Sequence, residues 1–234
     1  MNLSDWNYLY NWDVDQWSRA NLVYTPYVSP DKKTMCMSFN RDTSYHTDHE
    51  ENAQWTDDML TERFLRELTF HRVATDANIP TLTIQDVDLT SRKLFIEWHG
   101  DDFFMQGINK NGYDAVLSDW KSQWLARINE MWAAGIYKFS LHPNSWVVSN
   151  GQLIPWNWFF SFTKDEPNIT IRSLLVQISL GRLEKLEIVL NSFGMNLDTP
   201  YDIKTLQKVC FHSFKTNYPE PLIAHVLKNH SISA

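Results

Sequence analysis

The order of the predicted elements points to an α+β protein arranged in two layers or lobes. Three observations carry this. Short apolar runs of strand type cluster before residue 99 and flank one helical segment. Helical spacing dominates after residue 112. Glycine is absent from residues 1–99 and first occurs at Gly100.

Residues 1–20 read as a polar-aromatic lead-in carrying Trp6, Tyr8, Tyr10, Trp12 and Trp17. Residues 21–28 and 34–39 read as strands joined by a Ser29-Pro30-Asp31 turn. Residues 42–58 hold six acids and no base, the pattern of an exposed acidic loop. Residues 59–75 place Leu60, Phe64, Leu68 and His71 at helical spacing, with Thr56 and two aspartates suited to the N-terminus. Ile79-Pro80 ends that helix, and strands at 81–88 and 92–98 follow. A lobe boundary falls near Gly100, giving units of residues 1–99 and 100–234.

Beyond it, residues 113–134 show the clearest amphipathic stripe, made of Leu117, Trp120, Trp124, Ile128 and Met131 and stopped by Gly135. A polar loop at 138–145 leads to a hairpin with strands at 146–148 and 153–154 around Asn150-Gly151. Residues 171–193, a segment near 202–214 and a last one opening at Pro219 and Pro221 read as helical.

Composition narrows the function classes. The chain has 234 residues, a net charge of −7, 11 Trp and only 7 Gly. Residues 1–60 contribute −6 of that charge. An acidic chain with no basic cluster is a poor match for nucleic acid, which is bound largely through phosphate neutralisation. No apolar run approaches 18 residues and no basic-plus-apolar leader is present, so neither a membrane nor export is expected and a cytoplasmic location is. Cys36 and Cys210 sit in apolar runs and read as buried free thiols, with no zinc-type spacing. His46 and His49 could chelate a metal, but they lie in the acidic loop without a flanking motif.

The run Gly135-Ile136-Tyr137-Lys138-Phe139-Ser140-Leu141-His142-Pro143-Asn144-Ser145, followed by three apolar residues and Gly151-Gln152-Leu153-Ile154, resembles the catalytic-loop hairpin of the protein-kinase-like fold. The likeness is to its small-molecule phosphotransferase branch, whose run is G-(I/V)-x-H-x-D-L-H-P-x-N. Upstream, Arg66-Glu67-Leu68, Asn78-Ile79-Pro80 and Phe95-Ile96-Glu97-Trp98 resemble helix C, strands 4 and 5 and the hinge. The resemblance spans roughly residues 20–160. It implies a two-lobed fold, with a small, mainly β N-lobe carrying one helix (residues 1–99) and a mainly α C-lobe (residues 100–234) holding a degenerate hairpin at 138–160.

The resemblance also implies site residues, and here the chain departs from the family. Ser140 falls at the base position, Ser145 at the metal-binding asparagine and Asn157 at the metal-binding aspartate, with Trp158 and Phe159 after it. His142 matches the family's loop histidine and Glu67 the helix-C glutamate, although Glu67 reads equally as a surface partner of Arg63 or Arg66. Met35 or Met37 stands where the strand lysine belongs; Lys32, Lys33 and Arg41 are the nearest cations. Glu97, Trp98 and His99 would line the adenine if a nucleotide binds. Magnesium at an ATP site is usually held through carboxylates and phosphate oxygens. Losing both carboxylates removes the main electrostatic lever of phosphoryl transfer.

The leading expectation is therefore a pseudokinase. It is a non-catalytic binding or regulatory module with no cofactor, recognising a protein partner through the acidic loop or exposed tryptophans. The first alternative is a divergent phosphotransferase using ATP and magnesium on a small molecule or protein, with a carboxylate borrowed from Asp101, Asp102 or Asp165. The second is an unrelated interaction protein, viral or otherwise, in which the loop match is coincidence.

Overall fold

In a computed structural model, residues 3–8, 23–40, 56–141, 143–170, 194–196 and 198–208 are described. The protein is α+β, built on antiparallel sheets. Strands β1 (Asn7–Tyr8), β2 (Thr25–Val28), β3 (Thr34–Ser38), β4 (Ile84–Asp88) and β5 (Lys93–Glu97) form one sheet in the order β1-β2-β3-β5-β4. Every neighbouring pair is antiparallel. The short β1 lies within the segment expected to be a lead-in; two residues are too few for a periodic pattern to show.

β3 reads as an unbroken apolar run because both of its faces are covered. Met35 and Met37 lie with Leu94 and Ile96 in a core cluster beneath helix α1 (Asp57–Asp76). Cys36 and its partner Phe95 face the other way, and the ring of Trp6 meets Phe95 edge-on at 5.8 Å. Cys36 is a buried free thiol, as expected, and burial pushes it up to about 12. Cys210 and the His46/His49 pair lie outside the described residues.

Helix α1 starts two residues earlier than its apolar spacing indicates. The Thr56 side chain accepts a hydrogen bond from the Met59 N–H, and Asp57 and Asp58 occupy the first turn, where the helix dipole favours negative charge. The end of the expected acidic loop at 56–58 is therefore helix cap and first turn; residues 42–55 lie outside the described part. Leu60, Phe64 and His71 are buried on the inner face, and Leu68 is half-buried.

The stripe expected over 113–134 is divided. Helix α3 (Tyr113–Val116) ends before Leu117, and α4 runs Trp120–Ala133. All five stripe residues are nevertheless buried, since the break keeps Leu117 on the same side. Gly135 closes α4 at φ 74°, with the Gly135 N–H donating to the Trp132 carbonyl and the Ile136 N–H to the Met131 carbonyl. This pairing of the last orphan carbonyls needs a left-handed residue, which glycine supplies without strain. Helix α2 (Phe103–Asn109) was not foreseen. It is seven residues long, too short for a clear helical period, and is started by the Asp102 side chain accepting from the Met105 N–H.

Strand β6 (Tyr137–Lys138) pairs with β9 (Ser161–Phe162), so the expected polar loop at 138–145 begins as strand. The hairpin is as expected: β7 (Trp146–Ser149) pairs with β8 (Gln152–Pro155) around Asn150 and Gly151, both at positive φ. β10 (Ile169–Thr170) pairs with β11 (Pro200–Tyr201), and residues 203–208 are helical. The expected helix at 171–193 and the chain after 208 lie outside the described residues. Among the described residues, no helix is long and apolar enough to cross a membrane.

Candidate functional site

The hairpin β7–β8 delivers the chain into a tight passage, residues 156–160, that packs under α1. Asn157 sits at its entrance in the left-handed conformation (φ 61°, ψ 61°), which asparagine tolerates better than most residues. A single turn of 3₁₀ helix, Trp158–Phe160, follows.

Asn157 is tied to three distant segments. Its side-chain oxygen accepts from the Tyr24 hydroxyl at 2.7 Å. Its side-chain nitrogen donates to the Asn144 carbonyl at 3.5 Å. Its backbone carbonyl accepts from Lys138 Nζ at 2.6 Å. Ser140 and Ser145 pair hydroxyl to hydroxyl at 2.5 Å, and the Ser145 carbonyl accepts from the Trp156 N–H at 2.9 Å. Ser140, Ser145 and Asn157 thus meet in one polar cluster. His142 lies outside the described residues.

Glu67 joins the same passage from above. It is 2% exposed, so the surface reading is overturned. Its Oε2 accepts from the Phe159 N–H at 2.8 Å. Two neighbours on α1 reinforce this grip. Arg63 donates to the Phe159 carbonyl at 3.2 Å and lies over the Phe160 ring. Arg66 donates to the Ser161 carbonyl at 3.1 Å and to both carboxylate oxygens of Glu166. The inner face of α1 holds both the N–H and the C=O of Phe159.

Among the described residues, the cation facing Glu67 is neither Lys32 nor Lys33. Lys32 and Lys33 are exposed at the β2–β3 turn, Met35 and Met37 are buried in the core, and Arg41 lies outside the described residues. The partner is Lys138, 1% exposed, which also lies 5.5 Å from the Trp158 ring centroid. Burial raises the Glu67 carboxyl above its usual range, and the charge of Lys138 works against that rise. Burial lowers the Lys138 ammonium, and Glu67 opposes that shift. Sequence reasoning passed over Lys138, although two signals were available. It falls at the histidine of the quoted loop pattern, and it is a lone charge between Ile136 and Leu141. Tyr24 carried no such signal.

The hinge candidates divide. Trp98 is buried, and its ring meets Trp156, next to Asn157, with centroids 5.4 Å apart. Its N–H donates to the Lys33 carbonyl, and that of Glu97 to the Thr83 carbonyl. The Glu97 and His99 side chains lie beside each other at 3.9 Å.

The carboxylates proposed as replacements have other settings. Asp102 caps α2, whereas Asp101 and Asp165 are exposed. Among the described residues, no group of three or more His, Cys, Asp or Glu is placed to hold a metal ion. No described tryptophan is exposed; Trp12, Trp17 and Trp55 lie outside the described residues.

No protein-family model matches the chain, and no curated protein matches it significantly.

Proposed function

We propose that the protein is a kinase-like binding or regulatory module that has lost phosphotransfer and acts on a protein partner. One observation carries this reading. At the three positions where the resemblance expects a base and two metal ligands, Ser140 pairs with Ser145, Asn157 bonds the Asn144 carbonyl and the Tyr24 hydroxyl, and none of the three side chains is a carboxylate. Serine hydroxyls and an amide oxygen supply neither a base near neutral pH nor hard anionic ligands for magnesium.

The architecture is compatible with the two-lobed layout that the resemblance implies. A five-stranded antiparallel sheet carries a helix between its third and fourth strands, and Glu67 on that helix reaches the segment after the hairpin. The glutamate is engaged with the Phe159 N–H and with Lys138, while buried Met35 and Met37 occupy the strand where the resemblance expects its lysine.

The test is thermal unfolding with ATP or ADP, with and without Mg²⁺ or Mn²⁺, alongside a phosphotransfer assay on the protein itself and a generic acceptor. The expected result is no metal-dependent rise in melting temperature and no transfer. Metal-dependent stabilisation together with phosphate transfer would replace this reading with that of an active, divergent phosphotransferase.

A further inference from the structure

Five buried aromatic rings converge between the sheet and the hairpin passage: Tyr24, Phe39, Trp98, Trp156 and Phe159. They come from far apart in the chain. Tyr24 precedes β2, Phe39 follows β3, Trp98 follows β5, and Trp156 and Phe159 follow β8. Tyr24 lies 5.4 Å from Phe39, 6.3 Å from Trp156 and 5.6 Å from Phe159 between ring centroids, and Trp98 lies 5.4 Å from Trp156. The Tyr24 hydroxyl reaches through this packing to the Asn157 side-chain oxygen.

We infer that these rings form an internal lock that shuts the nucleotide cleft: the protein's own Trp156 and Trp98 fill the space an adenine ring would take, and Tyr24 holds the remaining amide ligand. This inference rests on the kinase-like reading and deepens it. The site is closed from within as well as stripped of acidic ligands. Indole and adenine are both flat bicyclic rings of similar size, so the space left by removing one suits the other. The hinge side agrees, since the Glu97 and Trp98 N–H groups already donate to protein carbonyls. Asn157 agrees as well, with its side-chain oxygen and nitrogen and its carbonyl all bonded within the protein.

The experiment measures adenosine and indole binding by calorimetry and thermal shift for the whole chain, the Trp156→Ala variant and a control, Trp124→Ala. The control removes a buried indole from α4, in the other apolar cluster. The expected result is no adenosine binding by the unaltered protein or the control, and at least a tenfold gain over their detection limit in Trp156→Ala. If Trp156→Ala does not fold, Trp98→Ala opens the same contact from its other side. Equal adenosine binding by the unaltered protein and the variant overturns the lock while leaving the kinase-like reading in place. Rescue of Trp156→Ala by indole with no adenosine binding also overturns the lock, because the rings would then be ordinary core; the kinase-like reading is decided separately by the phosphotransfer test.

Discussion

Glu67 and Phe159 are 92 positions apart, and the carboxylate of one accepts a hydrogen bond from the backbone N–H of the other at 2.8 Å. This contact sets helix α1 against the passage after the hairpin. It also places a buried carboxylate within electrostatic reach of the buried ammonium of Lys138. Removing one member of such a pair leaves an uncompensated charge in the interior, a larger loss than the net worth of the pair.

The Glu67–Lys138 pair predicts opposite pH slopes for its two single variants. In Lys138→Met, Glu67 keeps a raised carboxyl without its cation. The stability tied to its neutral form is full below the ordinary value of 4.5 and is lost as pH rises through the raised value. In Glu67→Gln, Lys138 keeps a lowered ammonium without its anion. The stability tied to its neutral form is full above 10.5 and is lost as pH falls through the lowered value. Near neutral pH each variant is expected to lose about 3 kcal/mol. Urea midpoints across the pH range check this. Parallel slopes for the two variants would show that the buried Glu67 and Lys138 do not govern the pH dependence.

Arg66 and Glu166 form a two-pronged ion pair, with both side chains about one-fifth exposed at 19% and 20%. A double-mutant cycle with alanine at both positions is expected to give a coupling of about 1 kcal/mol, reduced by added salt. Arg63→Ala should cost more, about 2–3 kcal/mol, because it strips a charged donor from the buried Phe159 carbonyl. A salt-independent Arg66–Glu166 coupling would contradict the ionic account.

His71 is buried on α1 and donates through Nε2 to the Leu82 carbonyl at 2.6 Å. Burial holds its imidazole below the ordinary value of 6.5, with the Leu82 contact opposing. The stability that comes from keeping it neutral is present above 6.5 and is lost as pH falls through the lowered value. His71→Gln can keep a donor to Leu82 but has no such titration. Its denaturation midpoint is therefore expected to fall less than that of the unaltered protein between about pH 7.5 and about pH 5.

Asp102 serves as the cap of α2 through its contact with the Met105 N–H at 2.8 Å. Asp102→Asn preserves an acceptor there and should be nearly neutral. Asp102→Ala is expected to cost about 1 kcal/mol in chemical denaturation. Equal losses in the two variants would mean that the charge of Asp102 matters rather than its capping oxygen.

The legible parts of the fold share one property: their signals are local. The α4 stripe, the Asn150-Gly151 hairpin, the Thr56 cap and the strands around the Ser29-Pro30-Asp31 turn each arise from residues a few positions apart. Elements without room for a period escaped. Strand β1 has two residues, α2 has seven, and the break at Leu117 leaves the apolar spacing intact. At the candidate site, the resemblance pointed to Ser140, Ser145, Asn157 and Glu67, and these do gather around one passage. Their chemical setting was not legible. Glu67 has arginines at 63 and 66 on its own helix, so a surface pair was as natural a reading as burial.

The sequence by itself determined the α+β order of elements and the absence of acidic residues at positions 140, 145 and 157, because both are written in residue identity and short-range spacing. Only the tertiary structure decided which groups face each other. It set Lys138 rather than Lys32 or Lys33 beside Glu67, Tyr24 on Asn157, and Trp98 against Trp156. Partners of this kind are chosen by chain closure over tens of residues and by the need to satisfy buried polar atoms, and neither leaves a local mark on the sequence.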